Sequence, residues 1–220
     1  MISNVPDVIP IFPLPETVLL PSEVLPLHVF EPRYRDMVRD SLDTHRVIGM
    51  VLLQPGYERD YYGAPPVRDV GCAGLIARHQ ELADGRFLIW LLGIERFRID
   101  RELPGAKSYR QVAINHEYVN ATAEEQASIQ AIRRDLLETI PRFIDPRVLA
   151  DGEFGERLLK LDDAQFGAVA AQVLNLSGME KQQMLESSTI VERYLILHEK
   201  LQVRRQELPE LFPTDPENLN

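Results

Sequence analysis

Cysteine is almost absent from this 220-residue sequence, in which Cys72 is the only one. An internal disulfide is therefore excluded, as is a zinc site built from several cysteines. Long apolar runs are also missing, and no segment approaches the roughly 18 apolar residues that a membrane-spanning helix needs. The opening residues, MISNVPDVIPIF, lack the basic start and long apolar stretch of a secretory signal. The sequence predicts a cytoplasmic protein with no membrane segment.

The motifs of familiar enzymes are missing as well. Neither a Gly-x-x-x-x-Gly-Lys-Ser/Thr nucleotide loop nor a Gly-x-Ser-x-Gly nucleophile elbow occurs. The histidines, at positions 28, 45, 79, 116 and 198, form no pair at metal-ligand spacing. Cys72 with His28 or His79 is one nucleophile hypothesis, but the flanking residues VGCAGLIA are typical of a buried strand. We therefore predict a non-catalytic protein that binds neither a metal nor a cofactor.

Acidic residues outnumber basic ones, which gives a formal net charge of -10. Such a charge repels a nucleic-acid backbone unless a local basic stripe overcomes it. The nearest approach to a basic face is a group of arginines at positions 33, 35, 39 and 46. Nucleic acid is therefore a disfavoured partner. The 45% share of hydrophobic residues is ordinary for a folded protein.

Residues 1 to 118 have the pattern of β-structure, with short apolar runs separated by Pro, Gly and Asp. Two runs, VIGMVLL at 47–53 and FLIWLL at 87–92, have strand length and are apolar enough to be covered on both faces. Asp84 and Gly85 predict a two-residue hairpin turn. Alternation in residues 111–118 predicts a strand that closes the sheet. Pro32 marks the start of the one helix expected here.

After residue 120 the apolar period becomes that of helices. Ser, Thr or Asp followed three positions later by Glu or Gln predicts helix starts at Thr122, Asp162, Ser177 and Thr189. Pro141 is expected to limit the first of these helices, and Gly178 to stop the second near residue 176. The final residues, LPELFPTDPENLN, are expected to be irregular. The predicted fold class is α+β, with the strands first and the helices after them.

Three segments resemble one known family, the substrate-binding N-terminal domain of Lon proteases. They are IPIFPLPETVLLPSEVLPLHVFEPRY at 9–34, LADGRFLIWLLGIERFRI at 82–99 and KQQMLESSTIVERYLILHEKL at 181–201. The last contains the family's Lys-Gln…Leu-Glu signature. The sequence departs from the family where Gly71-Cys72 stands in place of a common Gly-Thr. The resemblance covers nearly the whole chain.

The resemblance implies a PUA-like β-barrel at residues 1–118, an α-helical bundle at 119–208 and an irregular tail at 209–220. It also implies that the chain holds other polypeptides. A full Lon protease adds an ATPase module and a Ser-Lys peptidase, which this sequence lacks. The expectation is a stand-alone relative of the binding domain.

Three tyrosines, Tyr57, Tyr61 and Tyr62, are candidate peptide-binding residues. They lie in PGYERDYYGAPP, where the prolines and glycines predict a loop. Tyrosine offers a large apolar face and a hydroxyl at low entropic cost, which suits varied polypeptide partners. The other interpretation is that the three side chains cover the barrel edge.

The leading functional hypothesis is a non-catalytic protein-binding or peptide-binding module, acting as an adaptor or regulator of proteolysis. Its partners would be unfolded or client polypeptides, and proteolytic machinery in trans. The alternative is an RNA-binding PUA-like protein, and a Cys72-dependent hydrolase comes last. The sequence leaves the clients and the oligomeric state open.

Overall fold

A computed structural model describes residues 5–61, 63–105, 107–117, 121–149 and 153–211 of the chain. The chain divides into two compact units. The first, called the sheet unit, comprises Met1–Val119 and Ser177–Ser187. The second, called the helical unit, comprises Asn120–Leu176 and Ser188–Asn220. The predicted α+β class is confirmed.

In the described residues the sheet unit has six strands, of which β1, β3, β4, β5 and β6 close into a barrel, while β2 pairs only with β5. The order is β2-β5-β4-β3-β1-β6, and β6 pairs back onto β5. Closure is possible because β5 is long: its first part pairs with β2 and β4, and its last part, Phe97–Leu103, pairs with β6. The predicted closing role of residues 111–116 is thereby confirmed. The strands are β1 Val8–Leu14, β2 Val24–Val29, β3 Val47–Leu52, β4 Val70–Glu81, β5 Phe87–Leu103 and β6 Gln111–His116.

The barrel core is apolar throughout, with Ile9, Ile11, Phe97 and Val112 at its centre. Every residue of β3 is buried, as its continuous apolar run predicted. The predicted strand at 87–92 behaves differently. Its residues alternate between buried and half-buried, so only one of its faces is fully covered.

The hairpin between β4 and β5 has a three-residue loop, whereas the sequence predicted a two-residue turn. Leu82 N–H donates to the Arg86 carbonyl, and Gly85 N–H donates to the Leu82 carbonyl, both at 2.8 Å. Gly85 has φ +77°, the left-handed conformation that such loops require at their last position. Asp-Gly therefore located the turn correctly but not its length.

Among the described residues, two α-helices belong to the sheet unit. The first, α1 (Pro32–Leu42), begins with Pro at its first turn as predicted, and it buries Tyr34, Met37 and Val38. The other is α6 (Gly178–Glu186), whose N-cap is Ser177 in a capping box with Glu180. The sequence-based boundaries had placed α6 in the helical bundle at 119–208. In the structure it packs on β4.

The remaining helices form the helical unit. They are α2 Ala123–Thr139, α3 Pro146–Leu149, α4 Glu153–Lys160, α5 Asp163–Val173 and α7 Ile190–Leu211. The predicted capping boxes at Thr122 and Asp162 are present. Helix α2 ends before Pro141, as expected, whereas α5 stops earlier than expected. Its stop is Asn175 at φ 54°, and Gly178 instead opens α6.

Helix α7 extends further than the sequence predicted. It runs to Leu211, through residues 208–211 that were expected to be irregular. The rest of that predicted tail, 212–220, lies outside the described residues. Short helices α3 and α4 had no sequence prediction, because neither offers a long periodic stripe.

Candidate functional site

The loop that carries the predicted tyrosines is a short 3₁₀ turn, Tyr57–Asp60. It follows Gly56, whose φ of +90° lets the chain reverse there. The rings of Tyr57 and Tyr61 lie 6.2 Å apart and tilted by 56°, and both side chains are half-buried. Tyr62, the third predicted residue, lies outside the described residues. Two of the three predicted tyrosines thus come together as one aromatic pair.

Helix α1 holds this loop in place through Arg33. Its guanidinium donates to Glu31 at 3.0 Å and to the Tyr61 carbonyl at 3.4 Å. It also lies over the Tyr34 ring, 4.7 Å from the ring centroid. Burial of Tyr34 raises the pKa of its hydroxyl to about 12, so it stays protonated at neutral pH. Glu31 and Arg33 therefore position the tyrosine loop.

Two small cavities lie among the described residues of the sheet unit. The cavity beside Tyr61 measures about 10 Å³, which is room for about one water molecule. A cleft of about 230 Å³ lies between β1 and the end of α1. Its one carboxylate, Asp40, accepts hydrogen bonds from Lys107 and Tyr109 at 2.7 Å each, and the Lys107 bond is the main cause of the lowered pKa of Asp40. Neither space matches a drug-sized ligand pocket.

Strand β2 offers a different kind of surface, an open sheet edge. Within the described part of the chain, its only strand neighbour is β5. Gly93 N–H donates to the Glu23 carbonyl at 2.8 Å, which fixes the direction of the backbone where β2 begins. Because backbone groups alternate along a strand, residues 25, 27 and 29 face β5. The backbone groups of Val24, Pro26 and His28 point to the open side.

The side chains of those three residues share the outer face of the sheet. Val24 is 51% exposed, and Pro26 and His28 are also exposed. Opposite them on β5 lie Leu92, Trp90 and Leu88, all half-buried. Phe30, just past the strand, is 60% exposed, with its ring centroid 6.0 Å from that of His28. We call this set of seven residues, on and beside β2 and β5, the β2 face.

The sequence reasoning did not identify the β2 face as a site. A signal was available in VLPLHV, because a proline inside a strand-like run marks an edge strand. What the sequence could not show is which neighbour the strand has. That follows from the pairing of β5, which uses one edge for β4 and shares the other between β2 and β6.

The Lys-Gln pair of the family signature, Lys181 and Gln182, has a structural role. Lys181 Nζ lies 2.5 Å from Oε1 of Glu23, and Glu23 also accepts from Leu20 N–H at 3.0 Å. The Gln182 amide donates to the Val70 carbonyl at 3.0 Å. These contacts hold α6 on the barrel.

Cys72 does not have the surroundings of a nucleophile. It is fully buried in β4, where it pairs with Met50 on β3 and Arg96 on β5. His28 and His79 are exposed. Among the described residues, no three His, Cys, Asp or Glu side chains come close enough to hold a metal ion. In the same part of the chain, no helix is long and apolar enough to cross a membrane.

Charged residues that the sequence did not single out form a cluster at one end of the sheet unit. His116 lies between Glu95, at 2.6 Å, and Asp7, at 3.1 Å. The hydrogen bond with Glu95, followed by that with Asp7, raises the pKa of His116. Beside it, Glu117 pairs with Arg96. The cluster joins β5 and β6.

Two of the four arginines of the candidate RNA face form ion pairs with carboxylates. Arg33 pairs with Glu31, and Arg39 pairs with Glu81 at 3.0 Å. Carboxylates thus offset two of the four positive charges, and the structure adds no observation that favours RNA.

Comparison with known proteins gives a consistent result. Residues 8–203 match the family model of the ATP-dependent protease La (LON) substrate-binding domain. Lon protease of Dictyoglomus thermophilum is 27% identical over 202 residues, covering 86% of this chain and 24% of that protein. Lon protease of Flavobacterium johnsoniae is 25% identical over 207 residues, covering 93% and 25%. The chain therefore spans about a quarter of the length of these curated relatives.

Solved structures show the same fold. The N-terminal domain of Mycobacterium avium complex Lon protease matches with a TM-score of 0.70 and 17% identity, over 89% of this chain and 98% of that one. A Lon N-terminal domain protein from Xanthomonas campestris matches with a TM-score of 0.54 and 23% identity, over 90% and 97%. The matched region of the relatives is their substrate-binding domain, which carries no protease active site. By the match of residues 8–203, this chain belongs to the Lon substrate-binding domain family.

Proposed function

We propose that this chain is a non-catalytic module that binds client polypeptides through its sheet unit, and that it acts as an adaptor or regulator of proteolysis. The observation that carries the proposal is the β2 face, an exposed apolar surface beside an open sheet edge, in a chain of a substrate-binding family. Unfolded polypeptides expose apolar side chains and unpaired backbone groups, and this surface complements both.

The tyrosine loop is a second proposed contact. Tyr57 and Tyr61 are already held by the Gly56 turn and by Arg33, so little ordering entropy would be lost when a client packs on their rings. Tyr62 is included in the proposal from its place in the sequence. The small cavity beside Tyr61 means that binding here would use the ring surfaces and not a deep pocket.

The test is fluorescence anisotropy of a labelled, permanently unfolded polypeptide, titrated with the chain at low and high salt. The expected result is binding that persists at high salt and that the native, folded form of the same polypeptide does not show. Replacing all three tyrosines with Ala is expected to weaken it at least threefold, a loss typical of rings that contribute to an interface. No binding to the unfolded form would overturn the proposal. Salt-sensitive binding of RNA in its place would favour the RNA alternative.

The role in proteolysis has its own measurement. Addition of the chain to a purified Lon protease with an unfolded substrate is expected to change the degradation rate of that substrate. An unchanged rate, with binding intact, would limit the function to holding polypeptides.

A further inference from the structure

The backbone groups of β2 indicate how a client would bind at the β2 face. On the open side of β2, the carbonyl groups of Val24, Pro26 and His28 point outward, together with the N–H groups of Val24 and His28. An extended polypeptide is the partner that pairs with such a row, because its own donors and acceptors repeat at the same spacing. A small ligand or a helix would satisfy only one or two of these groups.

The side chains favour the same partner. A strand added beside β2 would place every second side chain next to Val24, Pro26 and His28 on the β2 face. Val24 and Phe30 are more than half exposed, so apolar client residues would cover them. The net charge of -10 adds a preference for segments that also carry Lys or Arg.

A second copy of the chain fits this edge less well. In an antiparallel pairing of two β2 strands about their middle, Pro26 would face Pro26, and neither residue has an N–H to donate. The central pair of hydrogen bonds would be lost. A client without proline loses only one of those bonds, so the edge discriminates against self-association while it accepts other chains.

We infer that client polypeptides bind by strand addition to the open edge of β2, with alternating apolar side chains on the β2 face. This inference rests on the proposed function and names its site and geometry. Specificity would be for extended segments with apolar residues at every second position. Main-chain hydrogen bonds would supply affinity that does not depend on an exact sequence.

The decisive pair of variants is His28→Pro and His28→Ala. Both remove the imidazole, but only His28→Pro also removes an outward N–H. Pro26 shows that β2 accommodates proline at an outward-facing position. The probe is a fluorescein-labelled peptide of alternating Val and Thr with Lys at both ends. Its affinity is expected to fall at least fivefold in His28→Pro and less than twofold in His28→Ala. Equal losses in the two variants would overturn strand addition.

A gain of binding gives the converse test. Pro26→Val supplies the missing central N–H, so the affinity for the same peptide is expected to rise about threefold to tenfold, the value of one added hydrogen bond. The peptide with N-methyl groups on the residues that face β2 is expected to bind at least tenfold more weakly. Sedimentation and thermal unfolding of each variant check for dimers and for loss of fold.

The outcomes separate the two claims. Suppose that the unfolded polypeptide binds, but that neither the proline variants nor N-methylation of the labelled peptide changes the affinity for that peptide. The proposed function then stands and strand addition fails. If wild-type chain binds no unfolded polypeptide, both fail. A wild-type chain that sediments as a dimer, with the monomer restored by His28→Pro, would assign the edge to self-association and overturn the inference.

Discussion

The sheet unit and the helical unit handle charged side chains in different ways. Among its described residues, the sheet unit buries three charged side chains, Glu23 at 7%, Glu95 at 8% and Arg96 at 7% exposure, and each pairs with an ionisable side chain outside the apolar core cluster. The helical unit buries Arg133, which is also 8% exposed but donates mainly to backbone carbonyls. The difference follows from the backbone, because paired strands satisfy one another's groups whereas helix ends leave carbonyls without partners.

Arg133 supplies donors for one of those helix ends. It donates to the carbonyls of Leu158 at 3.3 Å and Leu161 at 2.5 Å, at the end of α4, and to Asp163 at 2.9 Å. Its guanidinium also lies 4.4 Å from the centroid of the Phe166 ring. One buried cation therefore joins α2, α4 and α5. The comparison teaches that buried charges in the sheet unit pair mainly with ionisable side chains, whereas the buried charge of the helical unit serves mainly the backbone at a helix end.

The largest expected effect is that of Arg133→Ala. Removal of the cation leaves Asp163 with only a 3.4 Å hydrogen bond from the Tyr194 hydroxyl and removes a donor from two carbonyls, so the free energy of unfolding of the helical unit is expected to fall by about 3 kcal/mol. Denaturant unfolding followed by circular dichroism checks this, with Arg134→Ala as the matched control because Arg134 is exposed. A loss in both variants, or in neither, would break the comparison.

A smaller effect is expected from Lys181→Met, which tests whether the Lys181–Glu23 pair holds α6 on the barrel. Glu23 is 7% exposed and would lose its cation but keep the Leu20 N–H donor, at a cost of roughly 2 to 3 kcal/mol to the sheet unit. Lys160→Met is the matched control, since its partner Glu156 lies at 3.8 Å on an exposed helix face. Hydrogen exchange of α6 is expected to rise only in Lys181→Met. Protection that persists in α6 would show that Lys181 does not hold this helix.

The smallest expected effect is a pH dependence of the sheet unit through His116. Its pKa is raised in the folded state, so its protonated form stabilises the fold fully below the ordinary imidazole pKa of about 6.5. That contribution is lost as pH rises through the raised pKa. Most of the loss should come from the pair with buried Glu95, because Asp7 is 90% exposed and its charge is screened by solvent, and the loss begins above about pH 6.5. Unfolding of His116→Gln is expected to lack this step, and an identical pH profile would contradict the assignment.

The helices were predictable in start and type, because their signals are local. Thr122, Asp162, Ser177 and Thr189 each precede a helix that begins with the next residue. A capping side chain bonds to a backbone N–H three residues away, so the sequence contains the whole interaction. The end of α5 was harder to predict from the sequence, since Asn and Gly both tolerate the left-handed conformation that ends a helix, and Asn175 and Gly178 lie close together. Which one ends the helix depended on where α6 begins.

The candidate site was predictable only in part. The sequence predicted the tyrosine segment as a candidate contact, which stays a prediction. Tyr57 and Tyr61 form a pair there, but their anchoring by Arg33 comes from a residue 28 positions away from Tyr61. The β2 face was missed, because exposure of Val24 and Phe30 depends on what covers them. No local pattern contains that information.

The sequence by itself determined the α+β class, the change from strands to helices near residue 120 and the family, because periodicity, capping and turn chemistry act over a few residues. Tertiary structure alone decided which strand edge stays open, which unit takes α6 and where Arg133 finds its carbonyl partners. Those outcomes depend on contacts between residues far apart in the chain. For the same reason, the proposed binding edge is set by where strand pairing ends, and no local sequence motif marks it.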